Sequence, residues 1–331
     1  MSDAHAAHLS VRDLHHAYGS RTVLAGLDLR VASGELVGLL SPNGGGKSTA
    51  LALLAGLVPL RRGEVRWTDH TGRSHAVASH GYRARLGMVF QHPSLDRQLT
   101  ARQNLSLAAQ LQGLRRSEAT ARVEALLAWA DLADRAADPV RTLSGGMQRR
   151  LEFARAIVHA PELLLLDEPT TGLDAPSFAR TWALVANLRA EHDLSVVLAT
   201  HRPDEASRCD RLVLLDGGRA VRVATPAALV AELAEDLLVL EADAPAELAA
   251  DLARDFAVAA RVDEHGRVVV ECARGHELLV RVVEALPAGR LASASLRRPT
   301  LADVFAKLTG TPLARDPASA PDAPTPSAEA A

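Results

Sequence analysis

Apolar and polar positions alternate with period two in LSVRDLHHAY and again in TVLAGLDLRVASGE. Gly-Ser and Ser-Gly turns break the two runs, so they predict short strands over the first 35 residues. LVGLL is apolar throughout and reads as a buried strand; a glycine loop and a helix, KSTALALLAGL, follow it. From about Gln91 to Leu151 the rhythm becomes helical. TARQNLSLAAQLQGL and SEATARVEALLAWADL carry apolar residues at i, i+3 and i+4, with Thr100 and Ser117 as expected N-caps. ELLLLDEP and LSVVLATH read as buried strands, flanked by helices around QRRLEFARAIVHA and APSFARTWALVANLRAEH. DRLVLLDGGRAVRVA predicts a hairpin turning at Asp216-Gly217-Gly218.

Beyond TPAALVAELAE the pattern predicts a strand near 236–243 and a helix near 245–255. Two strands meeting at His265-Gly266, a helix near 275–286 and a strand near 291–297 come next. That βαββαβ order is a ferredoxin-like arrangement. A last helix, TLADVFAKLTG, has Thr300 as N-cap, Asp303 three residues on and Gly310 as its stop. The expected domains are 1–230, with a helical part over about 92–155, and a small α+β domain over 236–310. Residues 311–331, rich in Pro, Ala and Ser, are expected to form a disordered tail.

Composition narrows the partners. The chain of 331 residues is 48% apolar and 23% charged, which suits a soluble globular protein of two domains. A formal net charge of −3 supplies no global basic field, so no nucleic-acid partner is expected. Cys209 and Cys272 stand far apart and form neither a metal-ligand pair nor a disulfide framework. The start, MSDAHAAHLS, has no signal-peptide pattern. The longest apolar runs fall short of the roughly 20 residues that span a bilayer. Work at a membrane would need spanning helices from another chain.

Three stretches carry chemistry. SPNGGGKST, residues 41–49, lies between a strand and a helix, the setting of a phosphate loop. Gly44, Gly45 and Gly46 let backbone N–H groups approach phosphate oxygens. Lys47 can reach the β and γ phosphates, Ser48 can hold Mg²⁺, and the helix offers its N-terminus to the anion. Ser41 stands where that pattern begins with glycine. In a left-handed conformation it would cost about 1 kcal/mol; elsewhere it costs little. Asp167 and Glu168 end the leucine-rich strand, where open α/β sheets place their ligands. Asp167 would bind Mg²⁺ through water, and Glu168 would polarise an attacking water. In LSGGMQRR, residues 143–150, Ser144 caps a helix start left bare by Gly145 and Gly146, a second anion-binding end. One γ-phosphate does not need two such ends from one chain; two chains sandwiching the nucleotide do. His70, His75 and His80 fall in DHTGRSHAVASHGY, which reads as a solvated loop.

Together these motifs resemble the nucleotide-binding subunit of an ATP-binding cassette (ABC) transporter over roughly residues 8–225. Tyr18 matches the aromatic that stacks on adenine. Ser41, Pro42, Asn43, Gly44, Gly45, Gly46, Lys47, Ser48 and Thr49 match Walker A, and Gln91 the Q-loop. LSGGMQ matches the signature, LLLLDEP Walker B, Asp174 in TGLD the D-loop and His201 in ATH the switch histidine. The resemblance implies a P-loop NTPase fold, a RecA-like core with an antiparallel β-subdomain and a helical subdomain. It implies ATP and Mg²⁺ as cofactors, with Ser48, Gln91 and Asp167 at the metal. It gives Glu168, His201, Gln91 and Lys47 catalytic roles. It also implies a head-to-tail pair, a homodimer or two different ABC subunits, around two ATP. The partner is then an integral membrane permease, and the location the cytoplasmic face of the membrane. HPSLDRQLTARQNL and SLRRPTLADVFAKLTG resemble the daunorubicin-resistance type of exporter, with Gln103 where Glu is common. That favours drug or antibiotic export. A lipid, polysaccharide or haem exporter is the alternative, and a soluble ABC ATPase of translation or repair a more distant one. Lys47, Ser48, Glu168 and His201 are all intact, so the expectation is a working ATPase.

Overall fold

The computed structural model describes residues 8–233, 236–263, 265–287, 289–310 and 313. The chain divides into two compact units. One holds the chain up to Arg202 and Cys209–Val223; the other holds Pro203–Arg208 and Ala224–Leu313. The tail expected over 311–331 lies outside the described residues, Leu313 excepted.

In the first unit, β1 (His8–Tyr18) and β2 (Arg21–Ala32) pair antiparallel and bury alternate residues, as their period-two pattern requires. Next come β3 (Leu36–Leu40), α1 (Lys47–Leu54), β4 (Arg62–Thr68) and β5 (Ser74–Ala76). α2 (His80–Arg83) and β6 (Leu86–Val89) follow. The segment expected to be a solvated loop is therefore ordered. Asp69 accepts from the backbone of Thr71 and Arg73 and pairs with His75 Nε2 at 2.9 Å, which closes β5 back on β4. The helical part holds α3 (Ala101–Leu111), α4 (Arg116–Trp129) and α5 (Gly145–Ala156). Thr100 caps α3 in a reciprocal box with Gln103. Ser117 is no cap: α4 has already started at Arg116, with Arg115 in the N-cap position. The core continues through β7 (Leu163–Asp167), α6 (Ala175–His192), β8 (Ser195–Thr200), β9 (Arg211–Asp216) and β10 (Arg219–Ala224). Gly217 and Gly218, both at positive φ, make the turn between the last two strands.

The six-stranded sheet runs β10-β9-β3-β8-β7-β6. Its pairs β3/β8, β3/β9, β7/β8 and β6/β7 are parallel. β3, β7 and β8 are buried at every position, which explains their unbroken apolar sequences. Leu39, Leu165 and Val197 of this sheet share one core with Leu51 and Leu54 of α1 and with Leu27 and Trp67 of the β2-β1-β4-β5 sheet. That core seats α1 under the glycine loop.

In the second unit, α7 (Pro203–Ala206) and α8 (Pro226–Ala231) both pack against the last helix, α11 (Leu301–Thr309). Between them run β11 (Asp236–Glu241), α9 (Pro245–Phe256), β12 (Ala260–Val262), β13 (Val268–Cys272), α10 (Gly275–Ala285) and β14 (Ser293–Arg297). The strands form an antiparallel sheet of order β12-β13-β11-β14. Leu238, Leu240, Val268 and Val270 meet Leu248 and Leu252 of α9 and Leu278 and Val282 of α10. Leu237, Val239 and Val269 form a separate cluster on the other face. Among the described residues no helix is long and apolar enough to cross a membrane.

Candidate active site

Four parallel strands end side by side, and each delivers a residue of the site. β3 leads into Ser41, β6 leads toward Gln91, β7 ends on Asp167 just before Glu168, and β8 runs into His201. This is the carboxyl edge of an open α/β sheet, where ligands bind. The register sets the depth: Leu40 lies opposite Thr200, and Asp167 opposite Ala199.

The loop after β3 turns through left-handed Gly44 and Gly46. A Cβ on Gly46 would lie 2.9 Å from the Val23 carbonyl oxygen, so close packing as well as φ demands glycine there. Gly46 is the N-cap of α1, whose first-turn N–H groups have no intrahelical acceptor. Ser41 is absent from the positive-φ residues and is fully buried, so serine carries no left-handed penalty. Lys47, 4% exposed, donates to the Ser41 carbonyl at 2.8 Å and the Pro42 carbonyl at 3.0 Å. Burial pulls the Lys47 amine below its usual range, and the Glu168 and Asp167 charges oppose that pull.

Ser48 Oγ donates to Asp167 Oδ1 at 3.1 Å. This hydroxyl and carboxylate are oxygen donors of the kind a hard divalent cation takes. Burial raises the Asp167 carboxyl, offset in part by the Ser48 hydrogen bond. Glu168 is the hub. Gln91 Nε2 donates to its Oε2 at 2.8 Å, His201 Nδ1 meets its Oε1 at 2.9 Å, and Lys47 Nζ lies 3.8 Å from Oε1. Burial pushes the Glu168 carboxyl up, but the His201 hydrogen bond and the His201 and Lys47 charges outweigh it, so the group sits low. Its backbone is left-handed, φ 44°, a strained state for a non-glycine residue.

A cleft of about 390 Å³ is lined by Tyr18, Asn43, Gly44, Gly46, Lys47, Ser48, Thr49, Gln91 and Glu168. Tyr18 is 54% exposed there. Arg21 and Val23 also line the cleft, and the Thr171 hydroxyl donates to Glu168 Oε2 at 3.5 Å. No sequence motif marks these three; Arg21 and Val23 enter because the β1–β2 hairpin folds over the loop.

The signature residues lie elsewhere. Ser144 caps α5 by accepting from Met147 N–H, and Gly145 and Gly146 open the helix. A Cβ on Gly146 would lie 2.6 Å from Ser177 Oγ, which places this end beside the start of α6. Asp174 caps that helix, accepting from Ser177 N–H at 2.8 Å. None of these four lines the cleft. The signature end of α5 and the cleft are thus two separate places on one chain.

Residues 24–171 match the family model described as ABC transporter. The daunorubicin resistance ATP-binding protein DrrA3 of Streptomyces coeruleorubidus is 37% identical, covering 91% of this chain and 96% of its own. Nod factor export ATP-binding protein I of Ralstonia nicotianae is also 37% identical, covering 91% and 94%. Among solved structures, CbiO1 of Clostridium perfringens, part of the ABC transporter complex CbiONQ, is 27% identical with a TM-score of 0.60, covering 68% of this chain and 90% of its own. The ATP-binding cassette MJ0796, a dimer in a post-hydrolysis state with ADP and phosphate, is 27% identical with a TM-score of 0.58, covering 66% and 98%. P-loop architecture, site geometry and relatives of near-equal length agree, and the chain belongs to the ATP-hydrolysing, ATP-binding proteins of the ABC transporter family.

Proposed function

We propose that this ATPase powers an exporter, binding ATP with Mg²⁺ in the cleft and closing on a second ATP-binding subunit, a copy of itself or a paired one. Tyr18 then stacks on adenine, and Lys47 exchanges the Ser41 and Pro42 carbonyls for phosphate oxygens. Ser48 and Asp167, with Gln91, would hold Mg²⁺, which when bound neutralises charge on the phosphates. Glu168 accepts the proton of the attacking water on its carboxylate, and His201 keeps that carboxylate turned toward the cleft. Positioning and fixed charge supply most of the rate enhancement. Ser144, Gly145, Gly146 and Asp174 act on the partner's nucleotide, a role supported by their absence from this chain's cleft and by the two neighbouring helix starts they cap or open. The observation that carries the reading is Glu168, held between Gln91 and His201 beside Lys47.

The membrane partner is an integral permease, engaged at the cytoplasmic face. The drug-resistance relative supports antibiotic or related amphiphile efflux. The Nod factor export relative supports a second reading with a different exported cargo. The βαββαβ order and the β12-β13-β11-β14 sheet support a ferredoxin-like second domain over 236–310.

The test is Mg²⁺-dependent ATP hydrolysis by wild type, Lys47→Ala and Glu168→Gln, with size-exclusion chromatography with and without ATP. Wild type should turn over and both variants should not. Glu168→Gln should still bind ATP and elute as a dimer only with ATP. Turnover by Glu168→Gln at the wild-type rate overturns the catalytic assignment, and a monomer in both runs overturns the paired mechanism.

A further inference from the structure

Arg149 lies on α5 just past the signature glycines, and its side chain is 8% exposed. Its Nε donates to the Pro169 carbonyl at 2.5 Å and its Nη1 to the Phe90 carbonyl at 2.6 Å. Nη1 also meets Glu152 Oε2 at 2.9 Å, and Nη2 reaches the carbonyl of Glu168 itself at 3.4 Å. Phe90 directly precedes Gln91, and Pro169 directly follows Glu168. Glu152, 1% exposed, uses its other oxygen to accept from Ser94 N–H at 2.7 Å. Ser94 lies three residues past Gln91, and Arg155 of the same helix donates to its carbonyl at 2.7 Å. The backbone on both sides of Gln91, and the backbone of Glu168, are thus tied to one turn of α5.

A pair this deeply buried is a poor way to add stability, because desolvation cancels most of the attraction. Its value lies in geometry. A guanidinium offers several donors in one rigid plane, which an ammonium cannot do. The left-handed backbone of Glu168 also needs anchors to persist. Its N–H bonds to the Ala199 carbonyl at 2.9 Å, and Arg149 holds its carbonyl side.

We infer that Arg149, with Glu152, is a positioning pair that joins the signature helix to the Q-loop and to the catalytic carboxylate, so that the three shift as one body. Pulling the signature helix toward a partner's nucleotide then re-aims Gln91 and Glu168 in the same step. Neither Arg149 nor Glu152 touches substrate; both act through the main chain of residues that do. This inference rests on the catalytic reading of Glu168 and Gln91.

The test uses the full chain as wild type, Arg149→Lys, Glu152→Gln and Glu168→Gln. Backbone hydrogen exchange is followed over residues 90–94 and 167–170, together with kcat and the Kd for ATP. Arg149→Lys should speed exchange in both segments together and lower kcat about tenfold or more, with the ATP Kd changed less than about threefold. Glu152→Gln sets an amide N–H₂ against either Ser94 or Arg149, so exchange should rise at Ser94 in the first case and over residues 90–94 and 167–170 together in the second. Unchanged exchange, or a rise in one segment only for Arg149→Lys, overturns the coupling. A parallel loss of kcat and ATP affinity would mean a merely structural role and also overturns it. If Arg149→Lys does not fold, Glu152→Gln decides: faster exchange at Ser94, or over residues 90–94 and 167–170 together, with lower kcat and unchanged Kd supports the pair, and unchanged exchange throughout both segments sinks it. Full turnover by Glu168→Gln would defeat the catalytic reading separately, while the exchange data still decide the coupling.

Discussion

Ser41 shows how a departure from a motif is judged one residue at a time. Its backbone avoids the left-handed region, and Lys47 uses its main-chain oxygen, which any residue supplies. Ser41→Gly should therefore leave kcat within about twofold of wild type, a barrier change well below 1 kcal/mol. The side chain matters in another way. A Cβ added at Gly45 would meet Ser41 Oγ at 2.3 Å and Ser41 Cβ at 2.8 Å. Gly45→Ala should weaken ATP binding, and adding Ser41→Gly should restore part of it, a coupling of roughly 1 kcal/mol in a double-mutant cycle of ATP Kd values. Additive effects would mean that the two positions do not share that space. Local patterns point to the contiguous stretches, residues 41–49, 143–146 and 167–168, because a loop that wraps an anion is local chemistry; Tyr18, Gln91, Asp174 and His201 come only through the family resemblance. Arg149, Arg21 and Thr171 stayed hidden. Arg149 acts through carbonyls and Arg21 through a cleft wall supplied by distant chain, while Thr171 meets the carboxylate of Glu168 three residues back, and no motif marks any of the three.

At the level of elements, periodicity worked wherever burial is one-sided or complete. The all-apolar runs became β3, β7 and β8, and the βαββαβ order of the second unit follows its alternation. It failed between residues 69 and 83, where order comes from Asp69 gathering side-chain and backbone donors rather than from an apolar face. It also misplaced the start of α4, since a serine near a helix start caps only when its own backbone is extended. The last helix got its cap right. Asp303 accepts from Thr300 N–H at 2.9 Å and is gripped by Arg297 at 2.7 Å through both guanidinium ends. Burial alone would raise the Asp303 carboxyl; the Arg297 and Thr300 hydrogen bonds more than offset it and hold the group low. A depressed folded value means stability that is present above the unfolded carboxyl value of about 3.9 and lost as pH falls through the folded one. Asp303→Asn should cost about 2 kcal/mol at neutral pH. The gap between the two melting curves should narrow as the pH drops below about 3.9. A gap that stays constant would assign the loss to packing rather than charge.

For the whole molecule, the nucleotide motifs all lie before Arg202, yet the first unit does not end there. Residues 203–208 belong to the second unit, and the chain then returns to the first for Cys209–Val223. The border at Ala224 lies ahead of the expected one because α8 packs with α11. Removing residues 225–331 should therefore do more than trim an appendage. α7 follows His201 closely and packs against α11, so the shortened chain should melt lower and lose turnover although every nucleotide motif remains. Differential scanning calorimetry and an ATPase assay on the shortened chain check this; wild-type values in both would show that α7 stands without α11. The same discontinuity sets a timetable for synthesis. The ribosome releases the switch histidine and α7 early, then makes the rest of the cassette sheet and nearly the whole second unit before α11 emerges. At about 5–20 residues per second, α7 waits several seconds for its neighbour. The chain thus cannot assemble its second unit before α11 has been made, so the segment beside the switch histidine gains that support only after Thr309 has emerged.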